Sequence, residues 1–176
     1  MYTMKKSGLY IMPFMLAMVF SLSACSNQKA RIDSEKAHSD SLAVEVNMLK
    51  SVNQQLEQNK KLVASLYQEV FGDKDIDAVD KYIADNYIQH NPGVADGKEA
   101  LKAALKIWFK DAPKEKIDIQ HIGADGNFVY IHTRSKQGNK TISVMDIFRI
   151  DGSKIVEHWD VLQEVPAKAA NDHPMF

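Results

Sequence analysis

Cysteine is almost absent from this chain: Cys25 is the only one in 176 residues. An intramolecular disulfide and a cysteine-based zinc site are therefore excluded. An excess of charge of either sign is lacking too. With 22 basic and 23 acidic residues the formal net charge is -1, so no basic field exists to attract nucleic acid, and no nucleic-acid partner is expected. The chain has no G-x-S-x-G nucleophile elbow, no phosphate-binding P-loop and no dinucleotide fingerprint. Serine-based covalent hydrolysis and nucleotide chemistry are thus not expected, and no cofactor is implied. Glycine and proline are missing between Ser26 and Val70, which leaves that stretch free to run as a long helix.

Most of the punctuation the first 25 residues do contain belongs to targeting. Lys5 and Lys6 form a positive start, followed by an apolar stretch from Gly8 to Leu22 that Pro13 interrupts. This stretch is too short to span a membrane comfortably. It ends in Leu22-Ser23-Ala24-Cys25, which resembles a bacterial lipobox. The resemblance implies that residues 1–24 are a lipoprotein signal peptide, with Cys25 lipidated after cleavage just before it. Several acyl chains on one cysteine give stable membrane attachment. Ser26, rather than Asp, follows Cys25, which resembles the sorting pattern of outer-membrane lipoproteins. The expected location is the bacterial cell envelope, lipid-anchored at the outer membrane and facing the periplasm. Loss of Lys5 and Lys6 leaves 20 basic against 23 acidic residues, a mature charge of -3.

Residues 25–58 read as a polar tether followed by a helical spacer. From Ser41, Leu42, Val46, Leu49, Asn53, Leu56, Lys60 and Val63 follow a 4-3-4-3 spacing. One reading is a short parallel coiled coil with Asn53 setting the register; the other, which we favour, is a solvated spacer, because three heptads are marginal for self-association. The globular part is assigned to residues 59–176, and 45% apolar residues suffice for its core. Leu62, Val63, Leu66, Tyr67 and Val70 make one helical face that stops at Gly72, a candidate C-terminal cap. Asp75–Tyr87 reads as a second helix with Asp75 as N-cap. Gln89-His90-Asn91-Pro92-Gly93 forces a turn, and a third helix runs from Lys98 past Trp108 and Phe109 to Pro113. Four β-runs follow, at 116–123, 127–136, 140–150 and 154–165, joined by Asp125-Gly126, Gln137-Gly138-Asn139 and Asp151-Gly152. The expected fold class is α+β: three N-terminal helices packed on an antiparallel sheet.

Ionisable residues set into those strands are costly unless paired, hydrated or used. Same-parity residues share a strand face. A three-residue turn over Gln137–Asn139 puts Tyr130, His132 and Asp146 on one face as a cluster. In the last hairpin, a two-residue turn pairs Asp146 with Trp159, whereas a bulged three-residue turn pairs it with Asp160 and brings His158 alongside. The bulged register is favoured. A carboxylate beside a histidine makes a general acid/base pair; the alternative is a polar network that only fixes the sheet. Candidate catalytic residues are Asp146, His132, His158 and Asp160. His90, Tyr130, Trp108 and Phe148 are candidate pocket residues. His121, of opposite parity to Ile117 and Ile119, is expected to face solvent. The histidines form no H-x-H or H-x3-H pair, so no metal centre is expected.

Tyr87-Ile-Gln-His-Asn-Pro-Gly93, Asp96-Gly-Lys-Glu-Ala100, Asp146 through Asp160, and Asn171 to Phe176 resemble the SnoaL-like branch of the nuclear transport factor 2-like superfamily. The resemblance covers about residues 59–176. It implies a cone-shaped fold with a strongly curved sheet around a pocket, and homodimers through the sheet's outer face. Its polyketide-cyclase members use an Asp as acid/base with a strand His fourteen residues before it, a separation that His132 and Asp146 share. Related epoxide hydrolases use an Asp on the last strand, corresponding to Asp160. The Arg and Asp that they pair with it are not matched by Tyr130-Ile-His132, which speaks against epoxide hydrolysis. The reading is an envelope lipoprotein whose pocket domain performs acid/base chemistry of the lyase, isomerase or hydrolase type on a small apolar or aromatic molecule. The alternative is a non-catalytic small-ligand-binding or dimeric interaction module.

Overall fold

The structure, a computed structural model, describes the backbone of residues 12–176 and side chains from Asn27 onward. Residues 1–11 of the expected signal segment and the side chain of Cys25 lie outside it. The chain divides into two compact units, one up to Lys50 and the other Ser51–Phe176.

Helix α1 is Met12–Leu66. The polar stretch expected to be a tether, residues 26–41, is part of this helix. Polar character alone does not break a helix that lacks glycine and proline. In the first unit the apolar side chains Ile32, Leu42, Val46 and Leu49 are all exposed. Among the described residues, no helix is long and apolar enough to cross a membrane.

In the second unit, α1 ends at Leu66 and is followed by a π-helical turn, Tyr67–Gly72. A short α2 spans Val79–Tyr82 and runs into β1, Ile83–Gln89; α3 is Lys98–Trp108. Strands β2 (Asp118–Asp125), β3 (Phe128–Gln137), β4 (Lys140–Asp151) and β5 (Lys154–Glu164) complete the fold. The sheet order is β1-β5-β4-β3-β2, with β1 parallel to β5 and the other pairs antiparallel. The architecture is α+β, as expected, but the second helix is much shorter. Tyr82, Ile83 and Tyr87 do recur at helical spacing. Parallel pairing of β1 with β5, on the far side of the antiparallel strands, nevertheless buries Ile83 and Tyr87 as strand residues. Tertiary pairing overrides a local helical pattern here. Asp75 does cap the turn before α2, its Oδ1 accepting from the amides of Asp77 and Ala78.

Two hairpin details decide which side chains face inward. Gln137 pairs with Lys140, so the β3–β4 turn has two residues, with Gly138 first at φ 61°, the left-handed region that glycine tolerates. Asp151 pairs with Lys154, again a two-residue turn, led by Gly152 at φ 60°. Beyond that turn the register shifts between Arg149 and Ile150, so that Asp146 pairs with Asp160. The favoured pairing of the last hairpin is therefore present, but its extra residue is a bulge within β5, at Val156, rather than in the turn.

The inner face carries Val129 and Ile131 of β3, Phe148 and Ile150 of β4, and Ile155 of β5, all buried. They pack with Val63, Leu66 and Val70 from the end of α1 and the π turn, and with Leu101 and Leu105 of α3. Asn59 ties α1 to the β2–β3 turn by donating to the Gly126 carbonyl at 3.1 Å. Gly72 is not a left-handed cap. It sits where the chain crosses its own continuation: its carbonyl accepts from the Glu115 amide, and a Cβ there meets the Glu115 carbonyl at 2.8 Å and the Gln68 amide nitrogen at 2.3 Å. Gly72→Ala is expected to lose about 1–3 kcal/mol of stability. Gly123→Ala, with nothing within 4 Å of the added carbon, is the comparison, and urea unfolding of both reads the difference.

Candidate functional site

Asp146 is the buried ionisable group around which the polar interior is arranged. It lies mid-β4 on the inner face and is only 5% exposed. Its neighbour across the strand pair is Asp160, with His158 two residues earlier on β5 opposite Phe148. His158 Nε2 lies 2.9 Å from Asp146 Oδ1. The other carboxylate oxygen, Oδ2, accepts a hydrogen bond from the Tyr67 hydroxyl. Tyr67 opens the π-helical turn, a kind of helix irregularity that is frequent at functional sites. Its ring packs edge-on against Phe148 at 6.0 Å, and Phe148 in turn stacks on the His158 ring at 4.7 Å. Burial first, then the Asp146 charge, raises the Tyr67 hydroxyl well above the ordinary tyrosine range, so Tyr67 remains a donor. Tyr87, also buried, is raised for the same reason, with the charges of Asp146 and Asp160 adding to the effect of burial.

The strand that the helical pattern concealed completes the site. Gln89, at the end of β1, places Oε1 at 2.8 Å from His158 Nδ1. The same oxygen accepts from the Asn91 backbone amide at 2.9 Å, and an amide N–H can only donate. Gln89 therefore presents its carbonyl oxygen, and His158 Nδ1 must carry a hydrogen to bond it. The second ring nitrogen, Nε2, faces a carboxylate oxygen, so the Nε2–Oδ1 contact needs one proton between the two groups. This is a histidine–carboxylate pair with a fixed tautomer and a single transferable proton. Asn91 Nδ2 donates to Asp160 Oδ2, and Asp160 is the half-exposed member of the group. Among the described residues, no lysine or arginine forms an ion pair with Asp146 or Asp160; the basic group that meets Asp146 is the His158 imidazole.

Several sequence-derived site residues lie elsewhere. Tyr130 pairs with Ile147, and His132 with Met145, which places both on the outer face, opposite to Asp146. A three-residue turn at 137–139 was the premise of the expected Tyr130–His132–Asp146 cluster. The two-residue turn shifts β3 by one position, and one position reverses every side chain. His132 instead bonds Ser143 Oγ at 2.7 Å and stacks between His121 and Phe176. His121 is exposed. His90 is also on the outer face, bonded to Glu157 at 2.9 Å and stacked on Trp159 at 4.5 Å. Trp108, expected in the pocket, is 52% exposed on α3. Phe148 is inward and in contact with the pair. Two surface depressions, one lined by Asn27, Arg31 and Glu35 and one by Asp85, Gly97 and Lys98, do not include Asp146, His158 or Asp160.

Tyr67, Gln89 and Asn91 were not singled out from the sequence. Asn91 and Gln89 belong to the Gln89–Gly93 turn, whose polar side chains beside an expected pocket were the available signal. Tyr67 was read as a core face residue, and nothing in its spacing distinguishes a hydroxyl aimed at a carboxylate. The expectation of no metal centre rested on histidine spacing alone. It missed a donor set of one histidine and two cross-strand aspartates: Asp146, His158 and Asp160 each offer an atom, all within 4.8 Å of one another.

The model of the SnoaL-like polyketide cyclases matches residues 61–171. The chain belongs to this family. The SnoaL-like domain also shares its fold with solved structures of the nuclear transport factor 2-like superfamily. A candidate polyketide cyclase from Acidithiobacillus ferrooxidans is 23% identical, with a TM-score of 0.52 over 60% of this chain and 87% of that one. An LEH-like epoxide hydrolase from M. tuberculosis is 20% identical, with a TM-score of 0.50 over 62% and 85%. A candidate ketosteroid isomerase from Kribbella flavida is 12% identical, with a TM-score of 0.53 over 66% and 85%. At these identities the likeness establishes the fold alone. No curated protein matches the chain.

The tautomer argument is directly measurable. In Gln89→Leu the Nδ1 acceptor is gone while Nε2 still faces Asp146, so the hydrogen is expected to leave Nδ1 for Nε2, read in 15N NMR as a bare Nδ1. In the unaltered protein, Nδ1 is expected to show the shift of a hydrogen-bearing ring nitrogen.

Proposed function

We propose that the SnoaL-like domain carries out proton transfer, of the lyase, isomerase or hydrolase type, on a small apolar or aromatic molecule. Asp146 and His158 are its acid/base pair. The observation that carries this reading is the Gln89 lock on His158 Nδ1, which leaves one transferable proton between Nε2 and Asp146. The role expected of His132 passes to His158, which reaches Asp146 from the neighbouring strand. Tyr67 holds the other carboxylate oxygen, so the proton has a defined place to go. Substrate approaches past Asp160, the most accessible of the three. The names of the structurally similar candidate polyketide cyclase and candidate ketosteroid isomerase support the reading, since ring closure and ketosteroid isomerisation both proceed by positioned proton transfer.

A minimal test uses 2-tetralone, an apolar aromatic ketone, in deuterated buffer containing a chelator. Exchange of the hydrogens next to the carbonyl, followed by NMR, is expected to exceed the buffer rate. Asp146→Asn and His158→Gln, each shown by circular dichroism to be folded, are expected to lower it by about 100-fold. Exchange at the buffer rate, or exchange retained in both variants, would favour the non-catalytic ligand-binding alternative.

We further propose that Cys25 is the lipidated first residue of the mature chain and anchors the domain at the periplasmic side of the outer membrane. The support is the sequence Leu22-Ser23-Ala24-Cys25 behind an apolar stretch. The mass of detergent-extracted protein is expected to equal residues 25–176 plus acyl chains, and an unmodified chain beginning at Met1 would sink the idea.

A further inference from the structure

We infer that Asp146, His158 and Asp160 form a binding site for one divalent first-row transition ion of the zinc or cobalt kind. The inference rests on the reading that this cluster is the functional site, and it adds a second occupant of the gap that holds the proton. His158 Nε2 and Asp146 Oδ1 stand 2.9 Å apart. Neighbouring ligands on a tetrahedral ion with bonds of about 2.1 Å stand about 3.4 Å apart, so the pair opens by about 0.5 Å to take the ion between its two atoms. The third donor, an oxygen of Asp160, lies within 4.8 Å of both. Its carboxylate is half-exposed and closes on the ion by turning away from Asn91. The proton between Nε2 and Oδ1 leaves to solvent as the ion enters.

Charge favours the exchange. The two carboxylates are direct cross-strand partners, an unfavourable pairing of like charges, and among the described residues no lysine or arginine forms an ion pair with either. One imidazole nitrogen with two carboxylates suits transition ions better than magnesium, which prefers oxygen donors. The groups outside the donor set fit as well. Gln89 fixes His158 Nδ1–H and so turns Nε2 toward the ion, the arrangement that orients metal-bound histidines generally. Tyr87 is 3% exposed, and its hydroxyl accepts from Gln89 Nε2. The charges of Asp146 and Asp160 both act on it.

The test is titration of the chelator-stripped full chain with Co2+, read by visible absorption and by calorimetry, with Mg2+ as comparison. One Co2+ per chain is expected, with Mg2+ binding at least tenfold weaker. Asp160→Asn, which changes a half-exposed group, and His158→Gln are each expected to weaken Co2+ binding at least tenfold. His132→Gln, which removes the outer-face His121–His132 pair, is expected to leave it unchanged. Absence of saturable uptake, equal affinity in Asp160→Asn, or loss of binding in His132→Gln alone would overturn the inference. The ketone-exchange assay contains chelator, so its failure and the failure of metal binding are separate results.

Discussion

A carboxylate taken out of water must be met by hydrogen bonds, and the polar interior of this domain is organised by that requirement at Asp146. Tyr67 answers from the turn after α1, His158 from β5, and Gln89 answers for His158 from β1. Three elements distant in sequence are thereby tied to one side chain in the middle of β4. Removing any one of them leaves a buried polar group short of a partner, at a cost of about 1–3 kcal/mol. The apolar core of Val63, Leu66, Ile131 and Ile155 supplies the bulk of the burial.

The same network fixes the geometry of the pair. Ordinary ion pairs between surface groups are mobile and weakly oriented. Here each atom has an assigned partner: Nδ1 with Gln89, Nε2 with Oδ1, and Oδ2 with Tyr67. The ring is further held by Phe148, stacked at 4.7 Å. Groups positioned in this way need little reorganisation when a proton moves.

The fold class, the four antiparallel strands and the glycine-led turns were legible because alternation and turn chemistry are local signals. Residues 83–89 were not, because Tyr82, Ile83 and Tyr87 satisfy a helical spacing, and only pairing with β5 makes a strand of them. The site was half legible. Asp146, His158 and Asp160 come together as the favoured register implied, and Phe148 lies against them. His132 and Tyr130 failed by one residue, since Gly138-Asn139 rather than Gln137–Asn139 forms the turn. A separation of fourteen residues between His132 and Asp146 carries no information about which face each occupies. Gln89 and Tyr67 act through groups that look unremarkable along the chain and acquire a role only when distant elements meet.

The bulge at Val156 gives the last hairpin a property that no single side chain carries. Its two-residue turn alone would set Asp146 opposite Trp159, with His158 and Asp160 directed to the outer face. One additional residue in β5 inverts that arrangement for every position after it. The identity of Val156 matters less than its being there, for what is encoded at this point is a count. Residue identities along β5 can drift while the inward-facing set of donors persists. A single-codon deletion between Ile155 and His158 would instead bring Trp159 and Val161 inward and turn the histidine out, leaving composition nearly unchanged and the interior without its donors.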